Sequence, residues 1–316
     1  MQVTHFPNRV TLIVLAALVL MPLVMHTTLA TQVLIFATGT LSVTFLLGAS
    51  GLLSFGQGLY FGAGAYACAI LLSRYQFHPV TGMLLATAAG ALLALVLGIL
   101  IVRRRGVYFV MLTLAFAQMG YFAMLAFKDI TGGENGLSGL PRSFSILGLP
   151  IATPVSFYLL AVCGFLVPFL LVQRILASPL GSVLIAIREN EGRSEALGYP
   201  TARYKLVALT FAGAVAGLAG ALHAISLGFA PPSDIELEMS QRLLIMSIIG
   251  GVGSPAGALA GAAFYAIVSE ILSEIWARWL GLIAVLLIGI VLYLPGGLCS
   301  LGQRLASGFA RRSEHG

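Results

Sequence analysis

The polar residues of this chain that could do chemistry are few, and many of them lie in one short segment. Residues 188–198 read Arg-Glu-Asn-Glu-Gly-Arg-Ser-Glu-Ala-Leu-Gly, with acidic and basic side chains at helical spacing. Such side chains form ion pairs and hydrogen bonds with a partner surface. They include no nucleophile with a base and no metal-ligand cluster. The pattern fits either a docking helix for another protein or a solvated amphipathic segment.

Four further polar residues, Gln57, Thr113, Gln118 and His223, interrupt apolar stretches. A polar group buried in an apolar environment needs a hydrogen-bond partner or contact with water. Each therefore fits either an interhelical hydrogen bond or a path for a small polar solute; His223, near the end of its stretch, fits an interface. The candidate path residues are Gln57, Gly58, Thr113, Gln118, Thr131, Gly133, Asn135, Gly251 and Ser254.

The elements that position these residues are membrane helices. Hydrophobic residues make up 59% of the 316 residues and charged residues 9%, whereas soluble domains carry about 25% charged residues. The apolar runs are too long and continuous for barrel strands. We therefore expect an all-α, polytopic transmembrane bundle in contact with lipid. The net charge of +6 does not indicate nucleic-acid binding, because the basic residues flank apolar runs.

Apolar runs predict about ten membrane segments in a single domain, residues 1–316. The eighth is too short to cross alone, so it is either re-entrant or joined to the ninth through a kink. The first resembles a signal peptide, but apolar sequence resumes at once, which favours an uncleaved helix. The predicted segments are 10–30, 32–50, 52–73, 80–102, 107–127, 155–173, 204–227, 241–252, 256–274 and 279–295.

The distribution of Lys and Arg predicts that both termini are cytoplasmic. Residues 128–154 then form an irregular external loop, and residues 174–203 form a cytoplasmic loop. In the cytoplasmic loop, Ser178 with Pro179 predicts a helix start, and Asn190 caps a second short helix that Gly198 closes.

Glycines and the remaining ionisable residues each leave two interpretations. The clusters at 51–64 and 250–261 fit tight helix packing or broken helices at mid-membrane. Glu270 and Glu274, one turn apart, fit a cation site or a wet helix end. An acidic run at residues 234–238 fits a solvated loop or a docking patch. We expect the three cysteines to be small core residues: Cys68, Cys163 and Cys299.

Five ordered motifs resemble branched-chain amino acid ABC importer permeases of the LivM type. They run from about residue 50 to 265, so the resemblance covers most of the chain. The matching stretches are residues 51–58 with 62–66, 108–116, 131–139, 186–198, and 250–257 with Gly261.

This resemblance implies a transporter subunit of the bacterial inner membrane and not an enzyme. It implies import of branched-chain or other hydrophobic amino acids, delivered by an external binding protein through a pair of related permeases. ATP and Mg would act on a separate cytoplasmic ATPase, in whose groove the 174–203 loop rests. The implied coupling residues are Arg188, Glu189, Asn190, Glu191, Arg193, Glu195, Ala196, Leu197 and Gly198.

The chain itself agrees with that division of labour, because neither of its lysines, Lys128 and Lys205, lies in a phosphate-binding glycine loop. Two alternatives remain open. A urea or short-amide ABC importer has a similarly small, uncharged substrate. A stand-alone, ion-coupled secondary transporter would need ionisable groups at mid-membrane.

Overall fold

A computed structural model of the chain describes residues 7–140, 144–146, 149–151, 153–275, 279–293 and 296–299. Its helices are α1 (Pro7–Val24), α2 (Thr27–Ser50), α3 (Gln57–Ser73), α4 (Pro79–Ile101), α5 (Val107–Ala126), α6 (Lys128–Thr131), α7 (Pro154–Leu176), α8 (Pro179–Glu189), α9 (Glu191–Ala196), α10 (Thr201–Leu227), α11 (Leu237–Gly250), α12 (Pro255–Ile275) and α13 (Trp279–Tyr293). Four short strands pair in two antiparallel ladders: β1 (Leu137–Ser138) with β4 (Phe229–Ala230), and β2 (Phe144–Ile146) with β3 (Leu149–Ile151).

Among the described residues, six helices are long and apolar enough to cross a bilayer: α2, α4, α5, α7, α10 and α12. The expected helical, multi-pass membrane architecture is confirmed. Two predicted boundaries are wrong. The first helix ends at Val24, since His26 has extended backbone, so residues 27–30 belong to α2. The third segment begins at Gln57, because Gly51 ends α2 in the left-handed conformation and residues 52–56 are not helical.

The chain contains two similar halves. In each, a long helix ends at a left-handed glycine, Gly51 (φ 69°) or Gly228 (φ 70°), which a residue with a Cβ rarely tolerates. A stretch without α-helix and then three α-helices follow, α3–α5 in one half and α11–α13 in the other. The stretch in the second half contains β4 and a 3₁₀ turn at Pro232–Asp234. The halves interlock, since α2 packs on α11 and α12, whereas α10 packs on α3 and α4.

Small residues set how closely these helices approach. A Cβ at Gly64 would overlap the backbone of Gly217, and a Cβ at Gly213 or Gly217 would meet the α4 backbone around Gly90. Gly250 and Gly261 bring α11 and α12 together in the same way. Packing therefore accounts for part of each glycine cluster, as expected where helices associate without a hydrophobic driving force. Gly51 and Gly251 instead lie where α2 and α11 are interrupted, so the second interpretation also applies.

Two other sequence predictions differ from the structure. The 128–154 connection, expected to be irregular, contains α6, a 3₁₀ turn at Gly133–Asn135 and strands β1 to β3. Strand β1 pairs with β4, which lies more than 90 residues away in the chain. The local sequence pattern therefore could not predict this pairing. Of the cysteines, Cys68 is buried as expected, but Cys163 is exposed on this single chain and Cys299 is half-buried.

Candidate functional site

The α8–α9 segment forms a compact hairpin at one end of the bundle. Leu184 and Ile187 of α8 are fully buried, which fixes its apolar stripe against the bundle. Asn190 caps α9 as predicted, its Oδ1 accepting from the Arg193 N–H at 2.9 Å. Ser178 does not cap α8, because its hydroxyl donates to the carbonyl of Ile175 instead.

Both acidic side chains of α9 turn toward their own chain. Glu191 pairs with Lys205 (Oε2 to Nζ, 2.5 Å) and with Arg105 (Oε1 to Nε, 3.2 Å). Glu195 pairs with Arg105 and accepts from the Thr201 hydroxyl at 2.9 Å. These contacts fasten α9 to the α4–α5 connection and to the first turns of α10.

The electrostatics of this cluster favour the charged forms. The hydrogen bond from Arg105, followed by that from Thr201, lowers the pKa of the Glu195 carboxyl. The same bond to Glu195, together with the charge of Glu191, raises the pKa of Arg105. The charges on these two side chains therefore persist over the whole range in which a cell operates.

The opposite face of the hairpin is open. Leu197 is 72% exposed and Tyr199 is 44% exposed. Arg193 and Ala196 are also exposed, and the segment closes at Gly198 (φ 87°). The acidic residues therefore hold the hairpin, while an apolar tip with a basic neighbour faces outward. Sequence reasoning missed Arg105, Thr201, Lys205 and Tyr199, although each lies in or beside the polar connections.

Arg188 links the hairpin to the bundle. Its guanidinium donates to the carbonyl of Gly48 in the last turn of α2. A Cβ at Gly51 would lie 2.7 Å from Arg188 Cγ, so the two residues are packed together. Arg188 therefore joins α8 to the point where α2 ends.

From Gly51 the chain turns back along α2. The Ser42 hydroxyl donates to Gln57 Oε1 at 3.1 Å, and Ser42 lies nine residues before Gly51, or about 13 Å along the helix. Gln57 is fully buried, and its Nε2 has no hydrogen-bond partner among the described residues. The non-helical segment 51–56 therefore runs from the hairpin to an unsatisfied donor inside the bundle.

Hydroxyl groups from two other helices hold this segment. The Phe55 N–H donates to Thr113 Oγ1 of α5 at 3.2 Å. Ser240 of α11 donates to the Phe55 carbonyl at 2.6 Å and accepts from the Gly58 N–H at 2.8 Å. The N-terminal turns of α3 and α11 therefore meet, with the partial positive charge of each helix end directed inward. Ser240 gave no sequence signal, since a serine in the first turn of a helix is ordinary.

The candidate path residues lie in four places. Gln57, Gly58 and Thr113 come together as described, and Gln118 is half-buried further along α5. Thr131, Gly133 and Asn135 lie at the end of the bundle far from the hairpin, beside the β1–β4 ladder. Gly251 and Ser254 follow α11, where Val252 contacts Gly48.

One expectation about ionisable groups is wrong, and it concerns the partner of His223. His223, near the end of α10, is buried and its ring contacts those of Phe36 and Phe61. Asp234, expected in a solvated acidic run, is 1% exposed and bonds His223 (Oδ2 to Nδ1, 3.0 Å). The pair joins α10 to the 3₁₀ turn before α11, so Asp234 is not part of a docking surface.

Comparison with known proteins gives consistent matches. Residues 25–294 match the family described as the branched-chain amino acid transport system permease component. The high-affinity branched-chain amino acid transport system permease protein LivM of Escherichia coli is 30% identical over 316 residues, covering 90% of this chain and 73% of that protein. The LivM protein of Salmonella typhimurium is 28% identical, with the same coverage.

A third relative carries a different name. The autoinducer 2 import system permease protein LsrC of an Enterobacter species is 30% identical over 280 residues, covering 84% of this chain and 78% of that protein. No solved structure matches the chain.

Proposed function

We propose that this chain, which belongs to the family of branched-chain amino acid transport permeases, is the membrane subunit of an ATP-driven importer of hydrophobic amino acids. As a permease it moves a solute and catalyses no reaction of its own. The observation that carries the proposal is the α8–α9 hairpin, which is tied to the bundle on one face and open on the other.

The open face of the hairpin is the docking surface for a cytoplasmic ATPase, which binds ATP and Mg. Leu197 and Tyr199 supply apolar contact area, and Arg193 supplies a charge at the rim. The inward acids play a different part, because Glu191 and Glu195 keep α9 rigid relative to α10. A rigid element transmits motion from the ATPase instead of absorbing it.

Arg188 then transmits that motion to the bundle. It contacts Gly48 and Gly51, where segment 51–56 begins. A shift of the hairpin moves this segment and with it the hydrogen bonds at Phe55 and Gly58. The segment is suited to switching because side-chain hydroxyls hold it in place of a regular helical ladder.

The central site suits an uncharged or zwitterionic solute. Its polar groups are the Gln57 amide, the Ser42, Thr113 and Ser240 hydroxyls, and backbone N–H groups. No ionisable side chain takes part in this hydrogen-bond cluster, which argues against ion coupling. The LivM relatives favour branched-chain amino acids over the urea or short-amide alternative.

The family and the two ends of the bundle support a proposal for the assembly. Helices α5 and α10 both start beside the hairpin and lead to the β1–β4 ladder, so the ladder lies at the opposite end. We place the hairpin and both termini in the cytoplasm, with about ten membrane segments in the inner membrane. An external binding protein then meets the ladder end, and a second related permease completes the path.

Transport by the reconstituted complex tests the proposal. The permease pair and its ATPase are placed in liposomes with the binding protein, and uptake of leucine, isoleucine, valine, phenylalanine and urea is followed. We expect uptake of the branched-chain amino acids that stops when the ATPase is inactivated. Uptake by the permease alone on an ion gradient, or ATP-driven uptake of urea only, would contradict it.

A further inference from the structure

A second polar site lies away from the central cluster, in a cavity of about 320 Å³ between α2, α11 and α12. Small-molecule sites range from roughly 300 to 1,000 Å³, so this cavity suits a small ligand. The cavity lies beside residues 242–246 of α11, and the N-terminal half of α2 forms the opposite wall. Its lining includes Gln32, Arg242, Tyr265, Ser269 and Glu270.

The cavity has a positive and a negative pole on different helices. Arg242 of α11 lines the cavity and pairs with Glu238 one turn before it (3.1 Å), an exposed pair that leaves guanidinium N–H groups available. Glu270 of α12 is exposed and lines the same cavity, and no basic side chain in the described part of the chain is within ion-pair distance of it. A carboxylate without a cation and a guanidinium on another wall are complementary to a ligand that carries both charges.

Apart from Ser273, the rest of the lining is apolar. Leu29, Phe36 and Met246 face the same space, and Ala266 leaves room where a larger side chain would fill it. Glycines bring the backbones of α10, α3 and α4 together, as Gly64 does with Gly217.

We propose that this cavity is a binding subsite for a zwitterion with an apolar side chain. Glu270 binds its ammonium group, Arg242 binds its anionic group, and Leu29, Phe36 and Met246 contact the side chain. This inference rests on the proposed amino acid import. It adds a second binding position for the substrate, separate from the central site at Gln57. A lipid headgroup with an ammonium and a phosphate shares this charge pattern, and the experiment separates the two sources.

The test measures binding of radiolabelled leucine to the full complex in nanodiscs, without binding protein or ATP, alongside ATP-driven uptake. Glu270→Gln removes the charge at constant size, and Ala266→Phe fills the space. We expect either change to weaken leucine binding at least about tenfold, which corresponds to losing one ligand contact of about 1.4 kcal/mol. Glu274→Gln is the matched control, since Glu274 is exposed one turn away and does not line the cavity.

Equal leucine affinity in the wild type and in Glu270→Gln would overturn the subsite. The subsite would also be overturned if the wild type imports leucine with ATP but shows no leucine binding in this assay. The proposed transport function would still hold in that case. Nanodiscs with and without phosphatidylethanolamine separate the lipid source. If Glu270→Gln changes retention of that lipid and not leucine binding, the cavity holds a headgroup and the amino acid proposal fails. Absence of uptake for every amino acid would instead contradict the proposed function.

Discussion

Lys205 and Glu191 form an ion pair at the base of the hairpin, with 2.5 Å between Nζ and Oε2 and only 3% of the lysine side chain exposed. A charge this deeply buried is tolerated because its partner is fixed opposite it. Glu191 therefore acts first as an internal support for α9. In the proposed function, its effect on the ATPase is transmitted through the hairpin's position.

Removing one member of this pair should destabilise the hairpin. Glu191→Gln leaves Lys205 without its partner, and losing one side of a buried pair costs about 3–5 kcal/mol when both are fully buried. Because Glu191 is 19% exposed, we expect a smaller loss, on the order of 2 kcal/mol. Proteolysis rates at residues 190–200 in the purified permease measure it. Arg193→Gln, on the open face, should leave the rate unchanged.

A double variant distinguishes structural support from direct docking. Lys205→Met with Glu191→Leu replaces the pair with apolar groups, which is often neutral for stability. Compared with Glu191→Gln, we expect this variant to regain the resistance of the hairpin to proteolysis. We also expect it to regain ATPase binding. If ATPase binding stays lost while protection returns, Glu191 contacts the ATPase itself.

A substitution on the open face should weaken ATPase binding without destabilising the permease. Leu197→Ser removes an apolar side chain that is 72% exposed, so the stability of the permease should change by no more than about 0.5 kcal/mol. As an interface anchor, its loss should weaken ATPase association by about tenfold, or roughly 1.4 kcal/mol. Co-purification and equilibrium binding of the ATPase measure this. Undiminished binding would remove Leu197 from the docking surface.

Gly51 should be required for coupling. Gly51→Ala places a Cβ 2.7 Å from Arg188 Cγ at a φ of 69°, which costs about 1–2 kcal/mol from backbone conformation alone. We expect ATP hydrolysis to continue while leucine uptake falls, since the hairpin no longer seats against α2. Gly253→Ala is the control, because nothing lies within 4 Å of a Cβ there. If the ratio of leucine uptake to ATP hydrolysis is the same in Gly51→Ala and Gly253→Ala, this role is contradicted.

Thr113 should be required at the central site. Thr113→Val keeps the shape but removes the acceptor of the Phe55 N–H, and an unsatisfied buried donor costs about 1–3 kcal/mol. We expect a lower thermal midpoint and reduced uptake. Thr210→Val is a matched control, since the buried Thr210 hydroxyl has no hydrogen-bond partner in the described part of the chain and its loss should be neutral or stabilising. Equal midpoints in the two variants would show that segment 51–56 does not depend on Thr113.

Local patterns in the sequence determined the elements of this protein. Apolar length predicted the long helices to within a few residues, and the identities of Asn190 and Gly198 predicted how α9 begins and ends. Glycine spacing predicted close helix packing, because the absence of a side chain is a property of the residue itself. The α8–α9 segment, which we propose contacts the ATPase, could be located because its polar character stands out in an apolar chain.

Only the tertiary structure decided which side chains meet. The sequence could not show that Glu191 faces Lys205 and Arg105, or that Ser240 bonds Phe55 across 185 residues. His223 and Asp234 likewise became a buried pair because the turn after α10 folds back over that helix. Periodicity reports which face of one helix is apolar, whereas partner choice depends on how separate helices pack. That packing is set by contacts between residues far apart in the chain, for which a single sequence carries no local signal.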